Sequence, residues 1–244
     1  MALFDALLEL ADDHLVLGHR LSEWCGHAPM LEEDLAMPNM ALDLIGSART
    51  LYDYAGQVEG KGRSEDDLAY LRGEREYRNC LLVERPNRDF AHTMLRQLYF
   101  VAFMHPYWTA AADSSDEVIR GVAGKAVKEM AYHIRHAGEW VIRLGDGTEE
   151  SARRMADAVD DLHLYTGELF EAGAETDDDV LPDRAALQPA WEVTIDHVFG
   201  EAGLTRPVIP HPQTGGRTGL HGEDLGHMLA DMQSTHRAHP GATW

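Results

Sequence analysis

The sequence of 244 residues predicts an all-α protein. Glycine and proline residues divide its first two thirds into long segments in which apolar residues recur at helical spacing. Several of these segments exceed 20 residues, and each has a capping residue near its start and a breaker near its end. No series of segments alternates between apolar and polar residues as β-strands do. The pattern therefore favours a helical bundle.

The first two helices are the simplest to place. The spacing predicts one helix from Phe4 to Trp24, stopped by Gly26 and Pro29. A second helix is expected from Leu31 to Tyr54.

Shorter elements follow. Residues 56–63 form a connector rich in glycine and charge, and Ser64 with Asp67 forms a capping-box pattern that begins a short helix. The segment from Glu74 to Glu84 is expected to continue this helix as far as Pro86.

Two long helices occupy the middle of the chain. Asp89 is the expected cap of a helix from Phe90 to Ala112. A second capping box, formed by Ser114 and Glu117, precedes the clearest helix, from Asp116 to Leu144. At 1.5 Å per residue this helix extends roughly 43 Å.

The last third has a weaker pattern. Thr148 caps a helix expected over 149–171, and an acidic connector follows at 175–183. Shorter helices are predicted over 189–201 and 223–237, with a loop over 204–222 between them. We therefore expect one domain over 1–244: a ferritin-like antiparallel helical bundle with additional C-terminal helices, its C-terminal extension covering about 204–244.

Charge excludes several classes of function. Asp and Glu number 42 against 21 Lys and Arg, which gives a formal charge of −21. Phosphate backbones and anionic bilayers both need a basic surface, so we expect no nucleic-acid partner and no membrane partner. With only two cysteines and no secretory signal, the location is expected to be cytoplasmic.

The best candidate for chemistry is the centre of the bundle. Di-iron bundles need Glu-x-x-His on two helices, because this spacing places a bridging carboxylate and an imidazole on one face. Here the corresponding pairs are Met130 with His133 and Leu44 with Ser47. Thioether and alkyl side chains do not suit a site that prefers oxygen ligands, so these positions predict a degenerate metal site. His133 is then either a hydrogen-bonded core residue, paired with Glu129, or a remaining ligand.

Five stretches resemble a known family. They are SEWCGHAPMLEEDLA from Ser22, ALDLIGSAR from Ala41, YRNCLLVERPNRDFAHTMLRQLYF from Tyr77, KAVKEMAYHIRHAGEWVIRLGDGTEES from Lys125 and GLHGEDLGHMLADMQ from Gly219. Across nearly the whole chain the sequence resembles the structural, non-catalytic C subunits of bacterial phenylacetyl-coenzyme A epoxidases, which are multicomponent monooxygenases.

The resemblance implies a division of roles. A homologous catalytic subunit would hold the di-iron centre and insert oxygen into the ring of phenylacetyl-coenzyme A, and a reductase with flavin and an iron–sulfur centre would supply electrons from NADPH. This chain would hold no cofactor and have no catalytic residue, and would instead stabilise its partner.

Two alternatives remain open. One is a self-sufficient di-iron oxygenase or oxidase with ligands among Glu23, Asp43, Glu129 and His133. The other is a module that binds acyl-coenzyme A. Its phosphate contacts would be Lys125, Lys128, Arg135 and Arg143.

Association is the remaining expectation. Four large aromatic residues follow the helix that Asp89 caps, and they are more than one face of a bundle core accommodates. They are Tyr99, Phe103, Tyr107 and Trp108. We expect some of this surface to be exposed in the isolated chain and covered by the catalytic subunit or, without it, by a second copy in a homo-oligomer.

Overall fold

The computed structural model describes residues 2–174 and 179–242, and these residues form α-helices and 3₁₀ turns without a β-strand. The predicted all-α, ferritin-like class is confirmed. The helices are α1 (Ala2–Ser22), α2 (Leu31–Glu59), α3 (Glu65–Tyr70), α4 (Leu81–Glu84), α5 (Phe90–Ala111), α6 (Glu117–Gly145), α7 (Glu149–Leu162), α8 (Gln188–Ala202) and α9 (Glu223–Ala238).

Helices α1, α2, α5 and α6 form the bundle. The short turns after α1 and α5 make two antiparallel pairs, and the long connection over 60–89, with α3 and α4, crosses between them. A contact between the two pairs shows how they are oriented relative to each other. Trp24, just after α1, donates its Nε1–H to Thr93 Oγ1, near the start of α5, at 3.1 Å. The end of α1 therefore lies beside the start of α5. Helices α7 and α8 then pack against α5 and α6.

Several helix ends differ from the prediction. Helix α2 continues five residues beyond Tyr54, and Gly56 allows the connector after it to pass close to the helix. A Cβ at Gly56 would lie 2.3 Å from the carbonyl oxygen of Arg63. Gly60, with φ 69°, then ends the helix in the left-handed conformation.

Most predicted caps are confirmed. Ser64 and Asp67 form the capping box, and Asp89 accepts the backbone N–H of His92. The predicted box of Ser114 with Glu117 is wrong. Asp116 instead caps α6. Its carboxylate accepts the backbone N–H groups of Val118 and Ile119, the second and third residues of the helix, at 2.9 and 3.0 Å.

Two predicted helices are interrupted. Between Glu74 and Glu84 the described chain forms one 3₁₀ turn, Glu74–Glu76, and the single turn of α4. The helix expected over 149–171 ends at Leu162, and 3₁₀ turns continue it from His163 to Phe170. The acidic connector expected over 175–183 lies partly outside the described residues, since 175–178 are not described.

The expected aromatic surface on α5 is wrong. Tyr99, Phe103, Tyr107 and Trp108 are each at most 1% exposed. The second layer covers two of them: Trp191 of α8 donates to the carbonyl oxygen of Tyr99 at 2.9 Å, and the 3₁₀ segment after α7 packs on Phe103. Trp108 instead packs inside the bundle, where its ring centre lies 5.8 Å from that of His14 on α1. The four rings are thus buried partly by the bundle itself and partly by the added layer.

Buried carboxylates on α1 hold distant segments in place. Glu9, Asp12 and Asp13 are all at most 6% exposed. Each pairs with a buried guanidinium from elsewhere in the chain. The partners, in the same order, are Arg184, Arg72 and Arg217.

The pair of Asp12 with Arg72 shows how these buried carboxylates of α1 are stabilised. Arg72 binds both carboxylate oxygens, one of them at 3.0 Å, and the Tyr52 hydroxyl and the Arg78 backbone N–H also donate to this carboxylate. Burial alone would lower the pKa of Arg72, but the attraction of Asp12 outweighs it and raises that pKa. The Arg72 guanidinium therefore remains charged inside the protein.

The C-terminal segment is also held by one of these buried carboxylates of α1, Asp13. Arg217, in the loop before α9, bonds Asp13 at 2.7 Å and also the carbonyl oxygen of Arg78 at 2.9 Å. Glu168 accepts the backbone N–H groups of Gly215 and Arg217 at 2.9 and 3.2 Å.

No helix among residues 2–174 and 179–242 is both long and apolar enough to cross a membrane.

We expect Asp12→Ala to lower the free energy of unfolding by about 3–5 kcal/mol, because it leaves the Arg72 guanidinium buried without a counter-charge. Urea denaturation measures the loss. Asp5→Ala, at an exposed acidic residue on the same helix, is the control and should cost under about 1 kcal/mol. Equal losses in the two variants would contradict a special role for the buried pair.

A second prediction concerns His163, whose Nδ1 lies within hydrogen-bond distance of the Tyr99 hydroxyl, at 3.0 Å. Burial, with a smaller contribution from Arg206, lowers the pKa of His163 to about 4. The unfolded chain therefore binds this proton at a higher pH than the folded chain does, and the histidine destabilises the fold as the pH falls from 6.5 towards 4.

Unfolding free energies measured across this range should fall more steeply with decreasing pH in the wild type than in His163→Gln. Parallel curves for the two proteins would show that His163 titrates normally in the folded chain.

Candidate functional site

The centre of the bundle contains a polar group from each of its four helices. These groups are His14 of α1, Asp43 of α2, Gln97 of α5 and His133 of α6. All except Asp43 are buried, and Asp43 lies at the surface edge of the cluster with its side chain about a third exposed.

His133 connects three of the helices. Its Nε2 lies 3.1 Å from Asp43 Oδ2, and its Nδ1 lies 3.4 Å from Gln97 Nε2. The amide nitrogen can only donate, so Nδ1 accepts and Nε2–H donates to the carboxylate. This bond is the largest reason why the pKa of Asp43 is lowered. His133 is therefore a hydrogen-bonded interior histidine, but its partners in the structure are Asp43 and Gln97, whereas the expected partner Glu129 pairs with Lys125.

His14 occupies the α1 side of the centre. Its Nδ1–H donates to the Leu10 carbonyl oxygen at 2.7 Å, which leaves Nε2 as a buried acceptor without a hydrogen bond. Its ring packs edge-on against Phe100 at 5.5 Å between centroids. Burial lowers the pKa of His14, so the ring is neutral at pH 7.

A lysine neutralises the carboxylates at the edge. Lys125 Nζ lies 2.9 Å from Glu129 Oε1, one turn further along α6, and its charge also helps to lower the pKa of Asp43. The Lys125 ammonium group thus already provides positive charge next to both carboxyl groups, those of Asp43 and Glu129.

The predicted metal positions do face the centre, but with the wrong chemistry. Leu44 and Met130 are completely buried, and Ser47 is 5% exposed. They fill the space between α2 and α6 with alkyl, thioether and hydroxyl groups, which are poor donors for iron. Among the described residues, no group of three or more His, Cys, Asp or Glu side chains is placed to hold a metal ion. The donor set does not fit a di-iron centre.

The alternative ligand set is only partly assembled. Asp43, Glu129 and His133 come together, whereas Glu23 lies elsewhere and bonds Arg20 and Asn87 at 2.8 and 2.9 Å. Two partners of the centre escaped the sequence analysis. They are His14 and Gln97, which follow Asp13 and Arg96 directly, so their polar neighbours gave no signal that these two side chains face the centre.

The basic residues proposed for phosphate binding do not converge. Lys125 and Arg143 are 18 positions apart on α6, which is about 27 Å along the helix. Arg135 lies over the ring of Tyr132 and Arg143 over the ring of Trp140, at 5.5 and 4.8 Å from the ring centres. These contacts give separate cations on the helix surface and no common pocket.

Comparisons with known proteins agree with this architecture. The model of a family described as phenylacetic acid catabolic protein matches residues 1–244. One relative, from Escherichia coli (strain K12), is the subunit designated C of 1,2-phenylacetyl-CoA epoxidase. It is 43% identical over 241 residues, which cover 97% of each chain. The similarity therefore includes the C-terminal segment as well as the bundle.

We expect Met130→Glu to destabilise the fold by several kcal/mol in the absence of metal, because it buries a carboxyl group without a partner. The melting temperature should fall clearly below that of the wild type. Ala131→Glu, which adds the same group at the exposed neighbouring position, is the control and should change the melting temperature little. An unchanged melting temperature in Met130→Glu would contradict the central position of this side chain.

Proposed function

The chain belongs to the phenylacetic acid catabolic protein family, and from this premise we propose that it is a cytoplasmic, non-catalytic structural subunit of an epoxidase acting on phenylacetyl-coenzyme A. The relative from Escherichia coli is named as part of such an epoxidase, which supports a role for this chain in phenylacetate catabolism. The reaction of the whole complex would be 1,2-epoxidation of the aromatic ring.

One observation supports the structural role: Leu44 and Met130, at the positions where we expect the two helices of a di-iron bundle to supply bridging carboxylates, are completely buried and apolar. A metal pair needs negative ligands to balance its charge, and these two side chains supply none. The neighbouring carboxylates of Asp43 and Glu129 are already paired with His133 and Lys125. The centre is thus built to be stable without a metal.

The proposal assigns the chemistry to other subunits. A homologous catalytic subunit would carry the di-iron centre, and a reductase with flavin and an iron–sulfur centre would deliver electrons from NADPH. The part of this chain would be to associate with the catalytic subunit and to support its fold. The two alternative functions find less support, because Glu23 is remote from the candidate ligands and the basic residues of α6 form separate contacts.

The test is a copurification. The tagged chain is isolated from its native cells grown on phenylacetate, and iron is measured in the eluate and in the separated chains. We expect a second helical-bundle chain to coelute and to retain the iron, while this chain alone remains essentially free of iron even after anaerobic incubation with Fe(II) and desalting.

Two results would contradict the proposal. Iron retained by the separated chain at close to two atoms per chain, resistant to a chelator, would favour a self-sufficient di-iron enzyme. Elution without any bundle-type partner would exclude the role of a structural subunit. Asp43→Asn offers an internal check, because loss of iron from the complex in this variant would place iron next to this chain's own carboxylate.

A further inference from the structure

Helix α9 is attached to the rest of the chain at both ends. At its start, Nδ1 of His221 and the backbone nitrogen of Gly222 each lie 2.8 Å from the carboxylate of Glu84 in α4. Near its end, the Gln233 amide donates to two backbone carbonyl oxygens at and just after the end of α3, at 3.2 and 3.0 Å. Three apolar side chains of α9 are buried between these contacts, namely Leu225, Met228 and Leu229. The position of the helix therefore depends on the contact with Glu84 as well as on this small apolar surface.

The Glu84 carboxylate is completely buried, and all of its acceptor positions are used. Oε1 accepts the backbone N–H of Gly222 at 2.8 Å and the Arg85 guanidinium at 3.0 Å. Oε2 accepts the Asn79 amide at 3.0 Å and faces Nδ1 of His221. Burial alone would raise the pKa of Glu84, but the hydrogen bonds from His221 and Gly222 outweigh it and lower that pKa. Glu84 is therefore ionised at neutral pH.

Both ring nitrogens of His221 face hydrogen-bond acceptors. Nδ1 faces the ionised Glu84, and Nε2 lies 3.1 Å from the backbone carbonyl oxygen of Tyr77. Neither an ionised carboxylate nor a carbonyl oxygen can donate, so both contacts need a hydrogen on the ring. A neutral imidazole has only one N–H group and would satisfy only one of them. The site therefore fits the imidazolium form of His221, whose side chain is completely buried.

The charged groups next to this pair come from α1, from the end of α4 and from the start of α9. They are Asp12, Arg20, Arg85 and Asp224. The two arginines bond the carboxylate and the backbone carbonyl of Glu84 and make no hydrogen bond to the ring. Burial alone would lower the pKa of His221, but the hydrogen bond and charge of Glu84, with a smaller contribution from Asp12, outweigh it and raise that pKa.

We infer that His221 and Glu84 form a pH-sensitive latch for α9, which is closed while the His221 ring carries two protons and opens when it loses one. Loss of one proton leaves one of the two acceptors without a hydrogen bond and Glu84 without the imidazolium charge. The contacts of Arg217 with Asp13 and of Glu168 with the loop backbone do not involve the ring, so they keep residues 215–217 in place. The opening is thus confined to the chain from His221 onward. This inference does not depend on the proposed function.

The direction of the pH dependence follows from linkage. The pKa of His221 lies above its ordinary value of 6.5 while α9 is docked, so the docked form binds the proton more tightly than the open form. The latch stabilises docking fully below about pH 6.5, and this contribution is lost as the pH rises through the higher pKa of the docked form. Because one proton is released, the equilibrium between the open and docked forms shifts by up to about tenfold per pH unit within this window.

The first test is NMR of the full chain with isotope-labelled histidine. The ring signals of His221, identified by their absence in His221→Gln, should show both nitrogens protonated at about pH 6.5 and should titrate above it. A His221 ring that is mostly neutral at this pH would overturn the inference.

The second test measures amide hydrogen exchange in α9 relative to α5 from about pH 6 to about pH 9, corrected for the intrinsic pH dependence of exchange. In the wild type, the protection of α9 relative to α5 should fall by up to about tenfold per pH unit above about pH 6.5. In His221→Gln, which retains one donor but no titrating group, we expect lower protection at the acidic end and no pH dependence. His227→Gln, at an exposed histidine of the same helix, is the matched control and should behave like the wild type.

Two exchange results would also overturn the inference. Protection of α9 in the wild type that stays constant over the whole range would show that no latch opens, and this measurement is decisive even if His221→Gln does not fold. A pH dependence that persists in His221→Gln and disappears in His227→Gln would assign the titration to the other histidine.

Discussion

The rest of the architecture depends on the compensation of buried carboxylates along α1. Glu9, Asp12 and Asp13 are buried among the apolar residues of α1, and an uncompensated charge at any of them would cost several kcal/mol. The compensating guanidiniums come from positions 72, 184 and 217, which belong to the crossover connection, the segment before α8 and the loop before α9. Electrostatic pairing thus fixes the path of the chain where helix packing alone would leave several arrangements.

In the centre of the bundle, too, a polar group is either neutral or has a partner. Burial keeps His14 neutral, and Asp43 reaches the surface edge, where a hydrogen bond from His133 and the charge of Lys125 lower its pKa. The completely buried positions between α2 and α6 carry Leu44 and Met130, which need no counter-charge. In a bundle without a bound cation, this is the distribution of charge that the fold tolerates.

Sequence reasoning predicted the helices well, because periodicity and capping are local properties. Ser64, Asp89 and Thr148 begin helices as expected from their own neighbours in sequence. It failed where the decisive partner is remote. The carboxylate of Asp13 meets a guanidinium 204 positions away, and the covering of Tyr99 depends on α8, 92 positions away. Local sequence spacing does not reveal contacts between such distant positions. The buried acidic residues were therefore interpreted as solvated, and the buried aromatic rings as an exposed surface.

These two failures have a common physical origin that also bears on the proposed function. A buried carboxylate needs a cation, and a bundle can supply it as a metal pair or as protein side chains. Along α1 this chain supplies protein side chains, since each buried acid meets an arginine. At positions 44 and 130, between α2 and α6, the buried side chains are apolar and carry no charge that needs balancing. The cations that balance the buried acids therefore come from three parts of the chain that are distant from α1 in sequence.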